Sequence, residues 1–201
     1  MDLRRLRDDL YSSIEGRLKE FGFRGNKASR ACFKKIPGGR LGFYLALINH
    51  PEDFDATVSL GIRFDAVEDL VAGGKSDKDT STMGGELGNF TQGSQRRWTV
   101  ADADDVPVVA ASIFEAFKQH ALPYYERYSD PRTAFEALSK TDRSAWLHMP
   151  FHNVRAMNAV ALAVLLEMNG IKELIEEQDR YLVSLNDPMI GTFREFASRF
   201  R

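Results

Sequence analysis

The hydrophobic period of this chain changes twice along its length, which restricts its fold to few arrangements. Leu3, Leu6, Leu10, Ile14, Leu18 and Phe21 recur at three- and four-residue steps. That spacing lines one face of a helix over residues 2–21, and Gly22 is a fitting terminator. The period then drops to two. Ala56, Val58, Leu60, Ile62 and Phe64 alternate with Asp55, Thr57, Ser59, Gly61 and Arg63. A strand over 55–64 therefore packs one face and offers the other to solvent or a ligand. Residues 31–36 and 40–49 read as strands joined by Pro37-Gly38-Gly39, a strong turn signal. A helical turn is expected over 66–72 and a strand around 82–90, within a loose stretch carrying six glycines between 73 and 94. The last strand is expected over 96–101.

Helical spacing then returns. Asp104 or Asp105 is placed to cap a helix with Pro107 in its first turn and Pro123 at its close. Further helices are expected over 131–138, 151–168 and 171–185, with a final one from Asp187-Pro188 carrying Phe193, Phe196 and Phe200 inward. A helix, about five strands and then a run of helices imply an α+β fold: an N-terminal helix, an antiparallel sheet and a C-terminal helical bundle. The expected division is an α+β sheet domain over 1–125 and a helical extension over 126–201 packed on it.

Composition excludes several alternatives. With 43% apolar residues among 201, the chain has enough for a core, so disorder is not its main state. Cys32 is the only cysteine, which rules out an intrachain disulfide scaffold and a four-cysteine zinc site. The longest apolar-rich run, residues 156–166, falls short of the roughly 20 residues a membrane span needs. Residues 1–9 alternate charge and leucine, unlike a secretory signal. A cytoplasmic protein without membrane association is expected.

Few residues announce chemistry. No Gly-x-Ser-x-Gly elbow is present, and Gly84-Gly85-Glu86-Leu87-Gly88 lacks the residues of a phosphate loop. His148 and His152 are four apart, but Pro150 between them argues against a shared helical face. Helix capping accounts for at least one of Asp102, Asp104 and Asp105. Cys32 reads as a buried thiol. His50 and His120 lack an identifiable nucleophile or orienting acid. Glu173, Glu176, Glu177 and Asp179 read as a solvated helix face. No catalytic residue, metal or cofactor is assigned.

Two binding surfaces are expected. If the strands at 55–64 and 95–101 share a sheet, its second face shows Thr57, Ser59, Arg63, Arg97 and Thr99, suited to an acidic partner. Residues 17–40 carry eight basic side chains and one acid, against 11 basic and 15 acidic over 102–201. Arg30, Lys34, Lys35 and Arg40 form the candidate basic patch, able to meet phosphate or an acidic protein.

The order of short motifs resembles the domain-of-unknown-function 4304 family over about residues 3–140. The motifs are Phe21-Gly22-Phe23, Phe33-Lys34-Lys35, Phe43-Tyr44-Leu45, Leu60-Gly61-Ile62, Arg97-Trp98 and Ala121-Leu122-Pro123-Tyr124-Tyr125. The glycine-rich segment and the final helices depart from that pattern. The resemblance implies no catalytic residues, and the likeness of some relatives to bacterial immunity proteins implies a role in masking a toxin. Three readings stand open. The first is a non-enzymatic protein-binding domain of immunity or inhibitor type. The second is a nucleic-acid-binding accessory protein using residues 17–40, and the third an uncharacterised hydrolase.

Overall fold

A computed structural model describes residues 2–91 and 93–200. The fold is α+β. The N-terminal helix α1 (Leu3–Leu18) continues into a 3-10 turn and ends at Gly22, whose φ of 82° is left-handed. The strands are β1 (Arg24–Asn26), β2 (Ala31–Ile36), β3 (Gly39–Asn49), β4 (Phe54–Phe64), β5 (Met83–Glu86) and β6 (Trp98–Val100). They form one sheet in the order β1-β2-β3-β4-β5, with β6 pairing to β4. The β1–β2, β2–β3 and β4–β6 pairs run antiparallel, with Lys35 opposite Arg40 and Asp55 opposite Thr99. The sixth strand, β1, is only three residues long and has no period to read.

Helix α2 (Asp65–Ala72) follows β4, and the short α3 (Leu87–Thr91) follows β5. Then come α4 (Asp105–Ala116), α5 (Leu122–Tyr128), α6 (Pro131–Leu138), α7 (Arg143–Trp146), α8 (His152–Leu165), α9 (Ile171–Ser184) and α10 (Ile190–Ala197). No helix among the described residues is long and apolar enough to cross a membrane.

Pro123 does not close a helix. A π-turn over Phe117–Ala121 joins α4 to α5, and the Leu122 N–H donates to the Phe117 carbonyl. The extra residue in that turn accommodates the missing N–H and the bulk of the proline ring. Neither Asp104 nor Asp105 caps α4 as expected. The Asp102 carboxylate accepts from the N–H groups of Asp104 and Asp105, and Asp105 accepts from Ala101 and Asp102. These acids tie a turn together among themselves.

Two compact units divide the chain: residues 1–61 with 86–126, and residues 62–85 with 127–201. In the first, α1 packs on α4 and buries Leu6, Leu10, Ile14 and Leu18. Phe117 is fully buried, with Phe21, Phe23 and Phe43 at centroid distances of 5.3, 5.5 and 5.4 Å, all edge-on. That geometry favours the aromatic quadrupoles. The Tyr125 hydroxyl donates to the Gly42 carbonyl at 2.6 Å, satisfying a phenol that burial would otherwise strand.

The second unit is built around α8, whose residues Arg155–Ala163 are all buried. It packs on α2, α6, α9 and α10. Segment 62–85 belongs to this unit. Asn158 donates to the Thr82 carbonyl at 2.7 Å, Thr82 donates to Glu68 at 2.7 Å, and Arg199 donates to the Leu70 carbonyl at 3.1 Å.

Candidate functional site

The expected open polar face of β4 is covered. Thr57 is 3% exposed and Arg63 5%, and Ser59 is half-buried. Strand β4 is buried along both faces, so its alternation records apolar against polar burial rather than core against water. Arg63 is consumed locally. Its Nε donates to Asp65, one terminal nitrogen to the Asp77 carbonyl and Thr80 Oγ1, and the other to Ser76 Oγ, each at 2.6 Å. A planar guanidinium suits this fan of acceptors. It pins the glycine-rich stretch after α2 that sequence leaves loose.

Arg97 and Thr99 do meet, around a residue the sequence reading placed beside them without a role. Thr99 donates to Asp55 at 2.7 Å, Arg97 lies 3.5 Å from the same carboxylate, and His50 lies 3.4 Å from it. The Thr99 hydrogen bond, then those of His50 and the charge of Arg97, hold the Asp55 carboxyl below the usual range. Asp55 thus gives Arg97 an acidic partner inside the fold.

The basic patch is different. Gly22, Arg24, Phe33, Lys34 and Lys35 line a groove of about 590 Å³. A Cβ added at Gly22 would lie 3.5 Å from Lys34 Cε, so the glycine leaves room beside that stem. Register places Arg24 opposite Phe33 and Lys35 opposite Arg40. The Arg40 guanidinium covers Phe33 at 4.5 Å, while Tyr44 meets that ring edge-on at 5.7 Å. Among the described residues, none of Arg24, Arg30, Lys34, Lys35 and Arg40 is in an ion pair. Arg30 is exposed at the end of the β1–β2 turn, in the left-handed region at φ 47°. It does not line the groove.

His152 sits 3.4 Å from Arg155 and edge-on to Trp146 and Tyr181. His148 shares a cleft with Ser144, but the Ser144 hydroxyl donates to Asp142 as part of the α7 cap. A serine nucleophile would donate to the imidazole. Cys32 is buried and its pKa is pushed up to about 11, chiefly by desolvation, which keeps the thiol protonated. No three metal-ligating side chains converge among the described residues.

Sequence reading missed three cations. Arg155 is fully buried on α8, stacked 5.2 Å over Tyr181, and its Nε and one terminal nitrogen have no acceptor. Arg127 and Lys140 line the His148 cleft. None stands in a motif, and only folding brings them beside their neighbours. No known protein family, curated protein or solved structure matches the chain.

Proposed function

We propose that the protein is a non-enzymatic binding domain that docks an acidic protein surface on the β1–β2 groove. The observation that carries this reading is the groove itself: Arg24, Lys34 and Lys35 line it, and among the described residues no carboxylate is paired to any of them. Cations with no acidic partner among the described residues match a partner that offers carboxylates. Single-stranded nucleic acid would need an open aromatic face for base stacking. Phe33 is already covered by Arg40, so the protein partner is favoured. The motif order resembling the domain-of-unknown-function 4304 family favours an immunity or inhibitor role in the bacterial cytoplasm, with a toxin as the partner.

Charge reversal tests the reading. Capture from native lysate with the wild-type chain should recover one acidic protein at near-stoichiometric yield. Arg24→Glu, Lys34→Glu and Lys35→Glu together should abolish that capture while leaving the circular dichroism spectrum intact. Recovery unaffected by the triple change would refute the docking site. Low-salt gel shifts of DNA or RNA lost in the same variant, with no protein captured, would replace it with the nucleic-acid reading.

A further inference from the structure

Arg155 on α8 heads the fully buried side chains of the described residues by volume, with none of its surface exposed. Its contacts are few. Nη1 lies 3.4 Å from His152 Nδ1, and the guanidinium stacks 5.2 Å from the centre of the Tyr181 ring. Neither contact neutralises the charge, and among the described residues no carboxylate forms an ion pair with it. Nε and Nη2 have no hydrogen-bond partner. These two nitrogens share one edge of the guanidinium, whose parallel N–H bonds fit the two oxygens of a carboxylate. A buried charge is ordinarily paired, so the fold holds a desolvated fork that lacks its match.

The surroundings are aromatic and come from three elements: Trp146 from α7, His152 from the start of α8 and Tyr181 from α9. The Trp146 indole N–H donates to the Tyr181 hydroxyl at 2.7 Å, and its ring meets His152 edge-on at 5.0 Å. All three rings are half-buried, so Arg155 lies one side chain beneath solvent. Desolvation first, then the Arg155 charge, lower the His152 pKa, while Asp187 acts on it in the opposite sense. Asp187 itself accepts from the Met189 N–H and is not paired with Arg155. The exposed Arg143 lies over the Trp146 ring at 5.6 Å, where it draws anions toward this rim.

We infer that Arg155 anchors a binding site for a small organic acid, whose carboxylate takes the Nε and Nη2 fork and whose apolar body lies against Trp146, His152 and Tyr181. A monocarboxylate brings one negative charge to one buried guanidinium. A planar group with two oxygens also fits a two-donor edge better than a spherical or tetrahedral ion. The fold has already taken Arg155 out of water and fixed its plane on Tyr181, so binding is opposed chiefly by the ligand's own desolvation. The ligand reaches the fork past the His152 ring, and the aromatic rim suits a body that is itself apolar.

The site is independent of the β1–β2 groove, and its test uses the full chain. Benzoate, benzamide and chloride are titrated while the Arg155 Nε–H and Trp146 indole N–H resonances are followed by NMR. Benzoate should shift both saturably. Benzamide has the same shape without the charge, and chloride the charge without the second oxygen, so each should bind at least about tenfold more weakly. Arg155→Lys keeps the charge but not the fork and should weaken benzoate about tenfold or more. Arg155→Met keeps the length without the charge and should abolish the shift at Trp146. No saturable shift with the wild-type chain, as a buried water on the fork would give, equal affinity for benzamide or chloride, or unaltered benzoate binding in both variants would each overturn the inference.

Discussion

Two buried arginines show how tertiary context sets the cost of a charge. Arg63 places its donors on Asp65, Ser76, Asp77 and Thr80, so burial costs it little beyond ordering the loop. Arg155 is more deeply buried and keeps two nitrogens without acceptors, the kind of group whose desolvation is repaid least. His148 carries the clearest pH signature. Its pKa is about 4 in the fold against 6.5 for an ordinary histidine. The unfolded chain therefore takes up a proton between those values that the folded chain refuses. Stability contributed by His148 is complete above pH 6.5, declines as pH falls toward 4, and is gone below that. The total is about 3 kcal/mol at most. Urea unfolding of wild type and His148→Gln at pH 7 and 4.5 checks this. The variant should lose less stability on acidification, and equal losses would contradict it.

At the scale of elements, glycine positions separate structural demand from slack. Gly88 lies in α3, where an added Cβ would run into the backbone of Ser94 and Arg96. Backbone cannot swing aside as a side chain does, so Gly88→Ala should cost about 1–3 kcal/mol. Gly16, inside α1, has nothing within 4 Å of its would-be Cβ apart from its chain neighbours and the helix's own backbone. Gly16→Ala should instead stabilise by about 0.5–1 kcal/mol through helix propensity. Chemical denaturation of both variants measures the contrast, and a shift in the same direction for both would defeat it. The π-turn belongs to this scale as well. Proline read locally is a stop, but Phe117 is held among Phe21, Phe23 and Phe43, and that packing carries the helical path past Pro123.

For the whole molecule, the boundary between units differs from a simple cut near residue 125. Segment 62–85 joins the C-terminal helices rather than the rest of the sheet-forming residues. A fragment ending at Glu126 therefore keeps 62–85 but loses Asn158 and Arg199, which hold it. It also uncovers Val67 and Met83, both buried in the full chain. Such a fragment should bind a hydrophobic dye and unfold with poor cooperativity, and the full chain should do neither. A sharp, dye-free transition in the fragment would show that the cut yields an independent domain. By itself the sequence determined the order of elements, the antiparallel sheet and most of the buried apolar residues. Those follow from local periodicity and turn chemistry, which each segment carries with it. Tertiary structure decided which polar residues stay reachable. It covered Thr57 and Arg63, engaged Arg97 and Thr99 with Asp55, left Lys34 and Lys35 without an ion pair among the described residues, and gathered Arg127, Lys140 and His148 around one cleft. Proximity between residues far apart in the chain is a property of packing, and no local pattern records it.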